Sequence, residues 1–131
     1  MDNLKAWGEH YISGRHVGPT DAVMFDIDDT LIFTNGKANT PMIELLQRAK
    51  VMGYKIVIIT ARPGLGPVIN WTIKQLGEYG IGFDYIGFTS AATKSLMKQQ
   101  LPYKFILSVG DLPTDLTDSQ HFLNISNFYH S

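Results

Sequence analysis

Ala22-Val23-Met24-Phe25-Asp26-Ile27-Asp28-Asp29-Thr30-Leu31 joins an apolar run to three carboxylates and a threonine. The apolar part suits a strand buried on both faces of a sheet. Unpaired carboxylates are strongly penalised when buried, so the acids belong at the strand's end, where a cation can join them. In an open α/β sheet, that end is where ligands bind.

Upstream, a helix from about Leu4 to Ile12 places Leu4, Trp7, Tyr11 and Ile12 near one face, and Gly14, Gly18 and Pro19 break it before the strand. His10 and His16 have no third ligand at metal-binding spacing and read as surface residues. Downstream, Thr30 to Ala38 reads as a turn or small flap around Asn35-Gly36, a strong turn dipeptide. Asn39-Thr40-Pro41 then offers a helix cap, with Glu44 near the first turn, Met42, Leu45, Leu46, Ala49 and Met52 as the apolar stripe, and Gly53 as the stop.

Lys55 to Thr60 is a second continuous apolar strand, and a strand fed by a helix of that length indicates a parallel βαβ unit. A helix from about Leu65 or Pro67 to Tyr79 follows, with Val68, Trp71, Ile73, Leu76 and Tyr79 as packing residues. Trp71 reads as core rather than as a recognition residue. Phe83 to Phe88 is the third strand. Thr89-Ser90 caps a helix to about Gln100, with Leu96, Met97 and Leu101 inward, and Pro102 ends it. Phe105 to Val109 is the fourth strand and Phe122 to Ile125 a last edge strand. Right-handed crossovers place helices on both sides of such a sheet. The expected fold is a three-layer, Rossmann-like α/β domain with a mainly parallel central sheet: residues 1–131 as one domain, 1–21 an N-terminal helical extension and 22–126 the core.

Composition narrows the function without naming it. The 131 residues are 44% hydrophobic with 12 glycines, which suits a globular fold with many tight turns. The absence of cysteine removes disulfides, thiolate nucleophiles and sulfur-ligated metals. Eleven basic against twelve acidic residues leave a net charge of -1, so overall charge argues for no polyanion partner. With neither a signal-like start nor an apolar run long enough to span a membrane, a soluble, cytoplasmic protein is expected.

The strand ends carry the chemistry. Asp26, Asp28 and Asp29 follow the first strand, Thr60 and Arg62 the second, Lys94 lies beyond the third, and Asp111 and Asp115 follow the fourth. In a parallel sheet these share one edge. Asp26 and Asp28 are two apart, so strand periodicity directs both to one side, and Asp111 brought alongside completes a carboxylate cluster suited to Mg²⁺ rather than zinc. With a hydroxyl and a lysine beside it, such a cluster suits phosphoryl transfer, one aspartate attacking phosphorus and another acting as acid and base. Arg62 either touches substrate or pairs with Asp29 or another acid. Thr30 orders the loop and is a candidate for substrate positioning.

Asp26-Ile27-Asp28-Asp29-Thr30 resembles the Asp-x-Asp-x-Thr signature of the haloacid dehalogenase-like superfamily, and Gly110-Asp111-Leu112-Pro113-Thr114-Asp115 resembles its Gly-Asp-x-x-x-Asp motif. Ile59-Thr60 and Lys94 are similar to the second and third motifs, with Lys98 the alternative lysine one helical turn on. The resemblance covers roughly residues 22 to 118. It implies Asp26 as nucleophile, Asp28 as general acid then base and as a backbone-carbonyl ligand of Mg²⁺, Thr60 and Lys94 as phosphate-binding groups, Asp111 as a direct metal ligand and Asp115 as support for its shell.

The intervals between motifs leave no room for a cap domain, so the chain resembles the capless members. Asp28 to Leu31 and Ile59 to Pro63 are also similar to stretches in nonspecific acid phosphatases and in the phosphatase domains of polynucleotide kinase-phosphatases. The resemblance therefore implies a Mg²⁺-dependent phosphomonoester hydrolase with an aspartyl-phosphate intermediate. Its substrate would be a phosphoprotein, a nucleotide or a nucleic-acid end, and a homo-oligomer is an alternative way to cover the site. The competing readings are a phosphotransferase of the same type and a noncatalytic phosphate-binding or interaction protein. The flap at about Ile32 to Asn39 is the local candidate for selectivity.

Overall fold

The computed structural model describes residues 1–126, along which helices and strands alternate. The order is α1 (Asp2–Ile12), β1 (Asp21–Phe25), α2 (Thr40–Val51), β2 (Lys55–Thr60), α3 (Gly66–Glu78), β3 (Tyr85–Phe88), a 3₁₀ turn (Ala91–Thr93), α4 (Lys94–Gln100), β4 (Lys104–Gly110), α5 (Pro113–Leu116) and β5 (His121–Asn124). All neighbouring strands pair in parallel, in the spatial order β3-β2-β1-β4-β5. The opening stretch therefore supplies the central strand, flanked by β2 and β4. Every residue of β1 is buried, as its unbroken apolar character requires of a strand covered on both faces.

The two faces are unequally covered. On one, Val23, Phe25, Ile56, Ile58 and Val109 pack with Ile12 of α1, Met42, Leu45, Leu46 and Ala49 of α2, and Leu76 of α3. On the other, Ala22, Met24, Val57, Ile59 and Phe105 meet Met97 and Leu101 at and just beyond α4. Each fully buried Ile, Leu or Phe contributes about 1.5–3 kcal/mol, so the thick face supplies most of the driving force. The N-terminal extension is tied to this core. Asp21 accepts from the Gly18 N–H at 2.8 Å and from Arg15 Nη1 at 3.0 Å, and Tyr54 donates to the Ile12 carbonyl at 2.7 Å. The Gly18 amide, and then Arg15, hold the Asp21 carboxyl below its ordinary pKa against the opposing effect of burial.

Several helix faces differ from the sequence expectation. In α1, Gly8 and Ile12 are buried while Trp7 is 56% exposed. A side chain at Gly8 would collide with Leu45, because α1 and α2 approach too closely there. In α2, Asn39 stands at the N-cap position but its side chain donates instead to the Thr30 carbonyl at 2.8 Å, and Glu44 lies beyond the first turn, paired with Lys5. In α3 only Thr72 and Leu76 are buried, and Ile73 is exposed. Trp71, expected in the core, is 57% exposed and carries the Arg62 guanidinium over its ring at 5.1 Å. In α4 the fully covered residues are Lys94 and Lys98 rather than Leu96, which is exposed. Period alone marks a face, but it does not say whether the core or an ion cluster receives it.

Residues 26–39 connect β1 to α2 through the small flap and no more. Ile32 bridges Ala38 in antiparallel fashion, Phe33 N–H donates to Lys37 O at 2.9 Å, and Gly36 turns the tip at φ +85. The Tyr79 hydroxyl at the end of α3 donates to the Gly36 carbonyl and ties that tip to the body. Asp29 takes φ +60 and accepts from the N–H and hydroxyl of Thr34, at 3.1 and 3.0 Å. Among the described residues no helix is long and apolar enough to cross a membrane.

Candidate active site

Each candidate side chain stands where a strand stops. Asp26 follows β1 directly, and its N–H donates to Val109 O at 3.0 Å, extending the pairing of β1 with β4 by one residue. Asp111 follows β4, and Asp115 returns from α5 over the end of that strand. Gly110 permits this return: a Cβ there would lie 2.4 Å from both the Cβ and Oδ2 of Asp115. Gly110→Ala is accordingly expected to cost about 1–3 kcal/mol through overpacking. Urea unfolding reads this, and an unchanged midpoint would contradict the close approach.

One buried cation stands between two of these acids. Lys94 Nζ donates to Asp26 Oδ1 at 2.9 Å and to Asp115 Oδ1 at 2.7 Å. Asp115 is fixed by its other oxygen, which accepts from Leu112 N at 3.0 Å. Carboxylate oxygens of Asp26, Asp111 and Asp115 all lie within 4.8 Å of one another. Burial, and then the charge of Asp115, push the Asp26 carboxyl well above the usual range; Lys94 opposes this and a hydrogen bond with Asp111 adds to it. Burial works against the Lys94 cation, but Asp26 and Asp115 outweigh it and hold its pKa above the ordinary value.

Lys98, one turn further along α4, serves another purpose. Its Nζ donates to Ser108 Oγ at 2.8 Å, to the Asp115 carbonyl at 3.0 Å and to the Thr117 carbonyl, and lies 5.2 Å from the centre of the Phe105 ring. Burial lowers its pKa to about 8. It supports the backbone that carries Asp115, while Lys94 meets the carboxylates.

Asp26 and Asp28 have different surroundings, because strand periodicity ends with Phe25. The Ile27 carbonyl accepts from Thr30, Leu31 and Ile32, curling the chain out of the sheet. Asp26 is 5% exposed; the Asp28 side chain is 50% exposed and its carboxylate is outside the three-acid cluster. Arg62 holds Asp28 with two hydrogen bonds, Nε to Oδ2 at 3.0 Å and Nη2 to Oδ1 at 2.8 Å. Thr60 is fully buried and its Oγ1 accepts from the Arg62 N–H at 3.1 Å. Thr30 is also buried, but its hydroxyl has no hydrogen-bond partner among the described residues; only its backbone helps to order the loop.

The sequence from Val23 to Asp111 matches the family described as haloacid dehalogenase-like hydrolase over residues 23–111. The chain belongs to the haloacid dehalogenase-like hydrolases. It is 28% identical over 112 residues to the Bacillus subtilis (strain 168) protein named "Putative phosphatase YxeH", a match that takes in 82% of this chain and 41% of that protein. The chain thus spans less than half of that relative. Among solved structures, a chain of the Pnkp1/Rnl/Hen1 RNA repair complex superposes with a TM-score of 0.61 at 22% identity, over 78% of this chain and 39% of the other. The Class C acid phosphatase from Bacillus anthracis gives 0.63 at 17% identity, over 89% and 65%. These two likenesses concern the fold.

In this haloacid dehalogenase-like hydrolase a cavity of about 630 Å³ opens beside the acids, lined by Asp29, Phe33, Asn35, Lys37 and Asp111 among others. It lies between the flap and the end of β4. The acid cluster also fits the divalent metal general to the family. It offers only hard oxygen donors, and of its three carboxylates Asp26 and Asp115 share the one Lys94 cation, leaving negative charge for a metal to neutralise. Sequence reasoning missed Ser108, Thr72 and Gln75, and gave two other supporting residues different roles: Lys98 as the alternative phosphate-binding lysine and Trp71 as core. The three missed residues sit on ordinary-looking surface or strand positions.

Proposed function

We propose that this chain is a Mg²⁺-dependent phosphomonoester hydrolase that works through an aspartyl phosphate on Asp26. The reading rests on one observation: a buried aspartate at the end of the central strand, joined to a buried lysine and crowded by two further carboxylates. Asp26 Oδ attacks phosphorus, forming an O–P bond while the bond to the leaving oxygen breaks. Asp28 gives that oxygen its proton, and later takes one from the water that cleaves the acyl phosphate. Lys94 and Thr60 face the nonbridging oxygens, with Thr30 as the remaining candidate on the substrate side. Asp26, Asp111 and Asp115, with the Asp28 backbone carbonyl, would hold Mg²⁺, which when bound neutralises charge on the transferring phosphoryl group.

Residues 26–39 supply only a flap over the cavity, which favours substrates that bring their own cover: a nucleotide, a nucleic-acid end or a phosphoprotein. The likeness to a chain of an RNA repair complex supports the nucleic-acid member of that set. A cytoplasmic setting agrees with such substrates. Purified protein assayed for phosphate release against phosphosugars, nucleotides, phosphopeptides and 3′- or 5′-phosphorylated oligonucleotides tests the proposal. Release that requires Mg²⁺ and stops with EDTA is expected. Absence of turnover across the panel, despite Mg²⁺ binding, would overturn it in favour of a phosphate-binding protein. Phosphorylated acceptor alcohols among the products would identify a phosphotransferase.

A further inference from the structure

We infer that Arg62 is a positioning residue for Asp28, anchored on α3 by Trp71, Thr72 and Gln75; this rests on the phosphatase reading above. A guanidinium has five N–H donors. Arg62 directs four of them to protein: Nε and Nη2 to the two oxygens of Asp28, and Nη1 to Thr72 Oγ1 at 3.1 Å and Gln75 Oε1 at 2.7 Å. Its face lies over the Trp71 ring at 5.1 Å. Its own N–H is held by Thr60 Oγ1 at 3.1 Å. The group is fixed from three directions before any substrate is present, and one N–H has no partner among the described residues.

Asp28 has the opposite character. Its carboxylate is half exposed, on a turn beyond the strand, and Arg62 is its hydrogen-bond partner among the described residues. An exposed carboxylate on a turn samples several χ1 and χ2 wells unless something holds it. A two-point contact to a planar, immobilised fork fixes both its position and the direction of its oxygens. The exposed Trp71 and the buried Thr72, which serve the core little or not at all, both make sense as parts of this anchor. Through it, α3 sets the position of the group that must reach the leaving oxygen.

The role predicts a specific kinetic pattern. Misplacing an acid/base group by about 1 Å costs on the order of 100-fold, so Arg62→Ala should lower kcat by about that factor while KM changes little. The loss should be larger for an alkyl phosphate, whose leaving oxygen needs a proton, than for p-nitrophenyl phosphate, whose leaving group does not. Arg62→Lys should not restore activity, since an ammonium cannot span both oxygens in one plane. Gln75→Leu loosens the anchor without touching Asp28, and should shift kcat in the same direction by a smaller factor; it also carries the test if Arg62→Ala does not fold. A raised KM at unchanged kcat would make Arg62 a substrate-gripping residue and overturn the proposal. An equal loss on both substrates, or full rescue by lysine, would do so too. Parallel assays of the wild type and Asp26→Asn keep the two readings apart. A wild type without metal-dependent turnover refutes the phosphatase reading, whereas an active wild type with unaffected Arg62 and Gln75 variants refutes only the positioning role.

Discussion

Asp26→Asn should lower Mg²⁺-dependent phosphate release by at least about a thousandfold while leaving the fold intact. An amide cannot form the acyl phosphate, yet its oxygen can still accept from Lys94 at the position where Asp26 Oδ1 now accepts at 2.9 Å. The substitution also removes one negative charge from a crowded buried group. Asp26 has a carboxyl pushed upward by burial and by Asp115, so in its ionised form it destabilises the folded protein at pH values above its unfolded pKa. The metal-free variant should therefore be at least as stable as the parent at pH 7, with the difference vanishing in acid. Thermal unfolding alongside phosphate release separates these effects. Undiminished release by the pure variant would remove Asp26 from the role of nucleophile, and a large fall in melting temperature would show that the acid holds the fold.

How far the sequence revealed this molecule depended on how long-range the cause was. β1, β2 and β4 were legible because a continuous apolar run bounded by polar residues, in a chain of alternating elements, fits little besides a strand covered on both faces. The site's location followed from the same logic, since charge placed directly after such a run must lie at a sheet edge. Side-chain destinations were less accessible. Lys94 and Lys98 look alike in sequence, yet one meets two carboxylates and the other a hydroxyl and two carbonyls. The difference comes from where β4 and α5 turn, which no local pattern encodes. Strand periodicity places Asp28 beside Asp26, but β1 ends at Phe25 and three N–H groups converging on the Ile27 carbonyl curl the chain out of the sheet. Trp71 was assigned to the core by its size; its partner is a guanidinium supplied from the β2–α3 turn.

Lys94→Met offers the largest expected effect on stability, and its sign can be worked out from the cluster. Methionine fills a similar volume without charge, so Asp26 and Asp115 lose the ammonium that now lies 2.9 and 2.7 Å away. Leaving buried carboxylates without their cation costs about 3–5 kcal/mol. Protonation relieves that cost. Without Lys94, whose charge opposes the upward shift, Asp26 keeps a folded pKa above its unfolded value, so the variant should gain stability as pH falls toward the ordinary carboxylate range, and lose it as pH rises. Added Mg²⁺ should also recover part of the loss, because a cation bound by Asp26, Asp111 and Asp115 replaces the missing charge. Saturation to a hundred times Kd supplies about 2.7 kcal/mol. Thermal unfolding of parent and variant from pH 5 to pH 8, with and without Mg²⁺, measures all three terms. A loss that ignored both pH and metal would mean that Lys94 contributes by packing rather than by charge. Wild-type stability in the variant would mean that the carboxylates are not held by this lysine in solution. On the proposed mechanism phosphate release should be abolished under every condition, including those in which Mg²⁺ restores the fold, because the metal replaces the lysine's charge among the acids but not its N–H donors toward the phosphoryl oxygens.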